Sequence, residues 1–197
     1  MRNITLITAT LTFLAGTASA ATLGFESILS GDQEVPPVVT EASGSAEISV
    51  DEDAQTIDFS LAVTGISIDG LFDDLIAAPV GPVHLHNAPI GVNGPIVIPF
   101  AFDPATYTDT ADGFEVNVSD FLFDDAVALS GSLLSFDEFL DDLIIGDYYI
   151  NVHSDVFTAG EIRGQVAAVA AIPLPASLFF LGAGLGLLGA LRKRKAA

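Results

Sequence analysis

The 197-residue chain has no cysteine and no tryptophan, a single methionine, three histidines and only six basic residues. Without cysteine there is no disulfide and no thiolate metal site, so packing of a hydrophobic core has to hold the fold. The scarce cations are also unevenly placed. Arg2 stands at the start, Arg192, Lys193, Arg194 and Lys195 stand at the end, and Arg163 is the one cation in between. All 26 acidic residues fall between positions 21 and 171, which leaves that stretch 26 − 1 = 25 formal negative charges, against −20 for the whole chain. Such a field repels nucleic acid and anionic lipid head groups and favours solubility, but it also repels itself when salt is low. A saline habitat that screens the charge is the expected remedy, with divalent cations on the surface as the second explanation. The chain shows no nucleophile motif, no phosphate-binding loop and no paired catalytic acids.

Both ends read as addresses. Arg2, an uncharged apolar run over 4–16 and the small residues Ala18-Ser19-Ala20 have the order of a secretory signal peptide, assigned to residues 1–20 and removed by signal peptidase. At the other end, Pro173-Leu174-Pro175-Ala176 leads into an uncharged Leu/Gly/Ala stretch closed by four cations. From 176 to 191 it would make about 24 Å of helix, short of the hydrocarbon core of about 30 Å. The cations should stay cytoplasmic, with the preceding domain outside. Gly182 and Gly186 form a weak GxxxG pair in a segment rich in glycine throughout. Ile172-Pro173-Leu174-Pro175-Ala176, the apolar helix and the basic end resemble the PEP-CTERM sorting signal in its VPLPA form, with Ile172 in the place of Val. The resemblance implies an exosortase-type protease as partner. It also implies a Gram-negative cell surface or extracellular matrix, association with extracellular polysaccharide, and at least transient membrane anchoring through residues 171–197. A plain tail anchor is the alternative.

Between the ends, residues 21–170 are long enough for one domain with its own core. Ala46-Glu47-Ile48-Ser49-Val50 and Ile57-Asp58-Phe59-Ser60-Leu61-Ala62-Val63 alternate, as half-buried strands do, and 51–55 reads as the hairpin loop between them. Residues 23–29, 114–118, 148–152 and 161–168 are further strands. The expected fold is therefore all-β, an antiparallel sandwich of the immunoglobulin or copper–zinc superoxide dismutase kind. One short helix is expected near 136–145, because Ser135 and Glu138 have capping-box spacing, Phe136, Phe139, Leu140 and Leu143 share a face, and Gly146 can end it.

The histidines are His84 and His86, in Val83-His84-Leu85-His86, and His153, in Tyr149-Ile150-Asn151-Val152-His153. On a strand the first two project to one face, and Tyr149, Asn151 and His153 share a face of theirs. Three imidazoles with an open position would suit copper or zinc. The bland alternative is that they hydrogen-bond loop backbone. A metal–nitrogen distance of about 2 Å requires the donors to converge to within about 4 Å. Arg163, alone among carboxylates, is expected in a salt bridge across strands, or else beside the histidines, with Asn151 supporting either arrangement. Asp51-Glu52-Asp53, Asp73-Asp74, Asp124-Asp125 and Asp141-Asp142 lack EF-hand spacing and read as solvated surface.

Four segments resemble CHRD domains: Gly31-Asp32-Gln33-Glu34-Val35-Pro36-Pro37; Val83-His84-Leu85-His86-Asn87-Ala88-Pro89 with Gly94-Pro95-Ile96-Val97; Tyr149-Ile150-Asn151-Val152-His153-Ser154; and Gly160-Glu161-Ile162-Arg163-Gly164-Gln165. They occur in order between about 22 and 169. The resemblance implies a sandwich-like fold and an extracellular setting, and no particular activity. Residues 70–78 and 121–139 look like insertions into the pattern. The His-x-His strand with a later His is also similar to the copper site of copper–zinc superoxide dismutase. Three histidines cannot supply that enzyme's four copper-binding His or its zinc cluster. Two functions are thus open: a non-catalytic surface or matrix module, and a mononuclear copper or zinc protein, redox-active or not.

If the tail is processed, mature protein from envelope fractions lacks residues 192–195. Intact-mass measurement checks this, and a mature form that keeps the four cations refutes it.

Overall fold

The computed structural model describes residues 22–76, 79–100 and 106–169. The expected signal peptide, Pro173, Pro175 and Ala176 of the expected sorting motif, and the expected C-terminal hydrophobic helix lie outside them. Among the described residues no helix is long and apolar enough to cross a membrane.

Strict alternation builds the first half. Strands β1 (Thr22–Ser30), β2 (Ser43–Asp51) and β3 (Thr56–Thr64) form an antiparallel meander in unbroken register, with Phe25 opposite Ile48 and Ile48 opposite Phe59. Ala46, Ile48 and Val50 are buried, as are Ile57, Phe59, Leu61 and Val63, while Glu47 and Asp58 face outward. The 51–55 hairpin loop forms as expected. The Asp51 carboxylate accepts from the N–H groups of Asp53 and Ala54 at 3.0 and 2.8 Å, a local bond that favours the turn. Strand β7 (Gly113–Leu122) adds to β3 and is longer than the alternating stretch of the sequence, with the short β6 (Tyr107–Asp109) at its edge.

The second half contains β4 (Val83–Asn87), β5 (Ile96–Pro99), β8 (Tyr148–Val152), β9 (Ile162–Gln165) and the two-residue β10 (Ala167–Ala168). A turn of helix, α1 (Asp73–Ile76), precedes it. Helix α3 (Phe136–Ile145) has the boundaries and capping box expected of it, and Gly146 ends it in the left-handed region. Helix α2 (Phe123–Ser130) was not expected, and it fills part of the acidic insertion. Only eight residues long, it shows no full helical period in the sequence. Its buried Phe123 lies 5.4 and 5.2 Å from the rings of Phe136 and Phe139, so tertiary packing stabilises it.

The sandwich expectation needs correction. Ten strands form one hydrogen-bonded antiparallel sheet in the order β5-β4-β8-β9-β1-β2-β3-β7-β6, with β10 also on β1. The reason is β1. It pairs with β2 along its whole length and meets β9 in register only at Ser30–Arg163, so it closes the seam at which two sheets would part. The sheet curls instead. Phe59 of β3 stacks on Phe100, just beyond β5, with centroids 3.9 Å apart and planes 6° from parallel. Apolar side chains of both halves meet in the core enclosed by this curl.

Replacing Phe59 by Ala should cost about 3–5 kcal/mol in urea unfolding, whereas Leu133→Ala, fully exposed, should stay within about 0.5 kcal/mol. Equal effects would show that the curl is not what holds the sheet.

Candidate metal centre

Strands β2 and β3 bury one face and wet the other. Strands β4 and β8 are buried on both. Val83, Leu85, Ile150 and Val152 point into the core. His84, His86, Tyr149 and Asn151 occupy the opposite face, where a buried polar group has to find a partner or a purpose. The β4–β8 register sets His84 opposite Asn151 and His86 opposite Tyr149. His153, one residue past β8, follows on the Asn151 side, and its N–H donates to Pro82 O at 2.9 Å. All three histidines are buried.

Each imidazole is fixed by a backbone carbonyl. His84 Nδ1 lies 2.9 Å from Gly81 O, His86 Nδ1 2.8 Å from Gly94 O, and His153 Nδ1 2.9 Å from Thr158 O. With Nδ1 donating, the lone pair of every ring is left on Nε2. The Nε2 atoms of His84 and His153 are 2.9 Å apart, and His86 Nε2 is buried with no hydrogen-bond partner among the described residues. One ring nitrogen from each of the three lies within 4.8 Å of the others. That is wider than the about 4 Å expected around a bound ion.

A proton count shows what is missing. The run Gly81 O, His84, His153, Thr158 O contains three short contacts, and each needs a proton. Two neutral imidazoles carry only two. A third proton would make one ring cationic, which the site resists. Burial, then the neighbouring imidazoles, hold His84 well below its ordinary pKa of 6.5. Burial first also lowers His86 to about 4 and lowers His153. With all three rings pushed toward the neutral form, the His84 and His153 Nε2 atoms meet with too few protons between them, and the cluster is one that could hold a cation. Three imidazole nitrogens are a donor set that copper and zinc both accept.

Three loops roof the face. Gly94, in the 88–95 loop, packs so tightly on Asn87 O that any side chain there would collide with it, which lets its carbonyl reach His86. Its N–H donates to the Tyr149 hydroxyl at 3.2 Å. The Tyr149 ring stacks on His86 at 4.6 Å, with planes 2° apart, and the Arg163 guanidinium sits 3.3 Å above the centroid of that same ring. Arg163 is therefore beside the histidines, one ring removed, and it directs its short hydrogen bonds to uncharged loop groups rather than to a carboxylate across strands. It donates to Val92 O at 2.9 Å and Asn93 Oδ1 at 3.2 Å, and Asn93 in turn donates to Val35 O, so one cation ties down two loops. Asn151 lies between His84 on β4 and Arg163 on β9, at the middle of the polar face.

Glu34 is the member that sequence reasoning passed over. It is buried in the 34–38 loop, and Arg163 is the charge it feels. Burial pushes its carboxyl up from 4.5 to about 7 against the pull of Arg163. Its signal was position: the acidic residue directly before Val35-Pro36-Pro37 in the first matched segment.

The CHRD domain family matches residues 25–166, a span that includes all of these side chains. No curated protein matches the chain. No solved structure matches it either, so the likeness to the dismutase rests on histidine spacing alone.

Glu34 has a signature in stability. Unfolded, it loses its proton near pH 4.5; folded, it keeps the proton to about pH 7. Folded protein therefore loses stability as pH rises through that window and keeps its full value below it. In metal-free protein, Glu34→Gln should gain about 1–3 kcal/mol relative to the parent between pH 4.5 and 8. A pH-independent difference in urea unfolding would refute the buried, protonated carboxyl.

Proposed function

The chain belongs to the CHRD domain family, and on that premise we propose that it is an exported protein holding one copper or zinc ion through His84, His86 and His153. The observation that carries this is the proton shortage: three short contacts along His84 and His153 with two protons to fill them, beside the unpartnered Nε2 of buried His86. A bound cation satisfies every nitrogen at once. The backbone carbonyls supply the outer shell that fixes tautomer and orientation. Copper would make the centre redox-capable, and zinc would make it a Lewis-acid or structural site.

Residence at the cell surface or in the extracellular matrix is the other half of the proposal. Its support is the signal-like start, the PEP-CTERM-like tail with Pro173, Pro175 and Ala176, and the acidic middle of the chain. In that setting the outer face of β2, β3 and β7, which exposes Glu47, Asp58 and Glu115, is the surface offered to matrix components. Signal peptidase and an exosortase-type protease would be its processing partners.

Untagged protein incubated with copper or zinc and then desalted should retain one equivalent by elemental analysis. His84→Ala and His153→Ala should each retain less than a tenth of that. At a free metal concentration about 100 times Kd the parent should melt roughly 5–10 °C higher, a gain absent from both variants. Protein that takes up no metal, or variants that hold it as well as the parent, would sink this reading.

Because burial already keeps the imidazoles neutral, metal affinity should change little between pH 8 and 6, where exposed histidines begin to protonate. A tenfold loss across that range would contradict the buried geometry.

A further inference from the structure

Three neutral imidazoles bring no negative charge to an ion. Among the described residues no carboxylate joins His84, His86 and His153 in a donor set close enough to share one. Their outer partners, Gly81 O, Gly94 O and Thr158 O, are uncharged as well. One full charge does stand near, and its sign is positive. Arg163, the one cation between positions 21 and 171, is 1% exposed. Strand order gives its position. Strand β8 runs between β4 and β9, so the Tyr149 ring has His86 on its β4 side and Arg163 on its β9 side. Guanidinium, phenol ring and imidazole form one stack, 3.3 Å from Arg163 Cζ to the Tyr149 centroid and 4.6 Å from there to the His86 centroid. These are contact distances with no room for water, so the charge is little screened on the side of the imidazole.

We propose that Arg163, acting through the Tyr149 ring, makes the histidine centre selective for a singly charged ion: cuprous copper, in preference to cupric copper or zinc. This rests on the metal reading of the site and names the ion.

The selection is electrostatic. The cost of burying an ion in a medium of low dielectric rises with the square of its charge, about fourfold from a monocation to a dication. A carboxylate behind a ligating histidine is one usual way of offsetting that cost. Here the histidines are backed by carbonyls, which carry no charge. A dication would set two charges beside the third of Arg163, whereas a cuprous ion sets one.

Nothing on the Arg163 side cancels its charge at mildly acidic pH. Its short hydrogen bonds go to Val92 O and Asn93 Oδ1, which are neutral. Glu34 is the carboxyl that feels Arg163, and burial holds the Glu34 proton up to about pH 7. The charge also reaches the ligand: burial does most to keep His86 neutral, and Arg163 adds to it. What opposes a proton on His86 opposes positive charge on an ion that His86 holds.

The test uses the full-length protein at pH 6, where Glu34 keeps its proton. Given one equivalent each of cuprous ion and zinc without oxygen, then desalted, the parent should carry copper and less than a tenth of an equivalent of zinc. Zinc as the main occupant overturns the proposal and leaves the metal reading standing. The part played by Arg163 is read from the cupric/cuprous reduction potential of copper-loaded protein, which reports the ratio of the two affinities. Arg163→Gln should lower the preference for cuprous ion at least fivefold, or about 40 mV at 59 mV per tenfold change. If Arg163→Gln does not fold, Arg163→Met, which keeps the bulk without the charge, takes its place. Arg163→Lys keeps the charge but loses the planar fork that ties Val92 and Asn93, so its preference should stay within twofold of the parent. Equal potentials in the parent and the uncharged variant overturn the proposal. A fall as large in Arg163→Lys as in the uncharged variant also overturns it, because Arg163 then acts by holding the loops. Protein that takes up neither ion overturns the metal reading, and this proposal with it.

Discussion

The pairing of β4 with β8 is the constraint on which the other features depend. Five residue pairs, from Val83–Val152 to Asn87–Tyr148, are buried on both sides except for the half-buried Asn87. One side is ordinary core. The other is polar, and a sheet tolerates that only if each polar atom is matched. The carbonyls of Gly81, Gly94 and Thr158 match the Nδ1 atoms. Three loops are drawn over the sheet to deliver those carbonyls, and Arg163 pins one of them through Val92 and Asn93 and, through Asn93, ties the 34–38 loop at Val35 as well. On the polar face the loops leave His86 Nε2, Glu34 Oε1 and Asn151 Oδ1 buried without a hydrogen-bond partner among the described residues.

How far this was legible in the sequence differs by element. The meander β1–β3 was plain, because one wet face makes apolar and polar residues alternate. Helix α3 was plain too, because its cap is local. Single-sheet closure was not, since it depends on one cross-strand pair, Ser30 with Arg163, that no local pattern encodes. Helix α2 escaped because eight residues carry too little period and its stability comes from Phe136 and Phe139.

The centre shows the same division. His-x-His on a strand put His84 and His86 on one face, and alternation put Tyr149, Asn151 and His153 on one face of theirs; that the two faces coincide follows from the β4–β8 register, which the sequence does not spell out. Arg163 was singled out for its charge, yet its partner is an aromatic ring that stands between it and His86. Glu34 lies outside the strands, in a loop whose side chains follow no period, so nothing in the spacing pointed to it. The 25 net charges between positions 21 and 171 dominate composition, but among the described residues only two carboxyls, those of Glu34 and Glu161, are buried. The rest of the acidic surface and the centre are separate features of one small fold.

The distance in sequence between His84 and His153 has a consequence for the order of assembly. Strands β1 to β3 are consecutive in sequence, with β2 and β3 joined by a tight hairpin, and can pair early. The contact between the two histidines spans 69 residues, and it waits for α2, α3 and the entire second half to find their places. Loop closure of that length makes such contacts late and slow. A cation held by all three nitrogens therefore depends on that long-range contact having formed. It would be taken up by a finished fold, and its presence would certify that the last strands had docked.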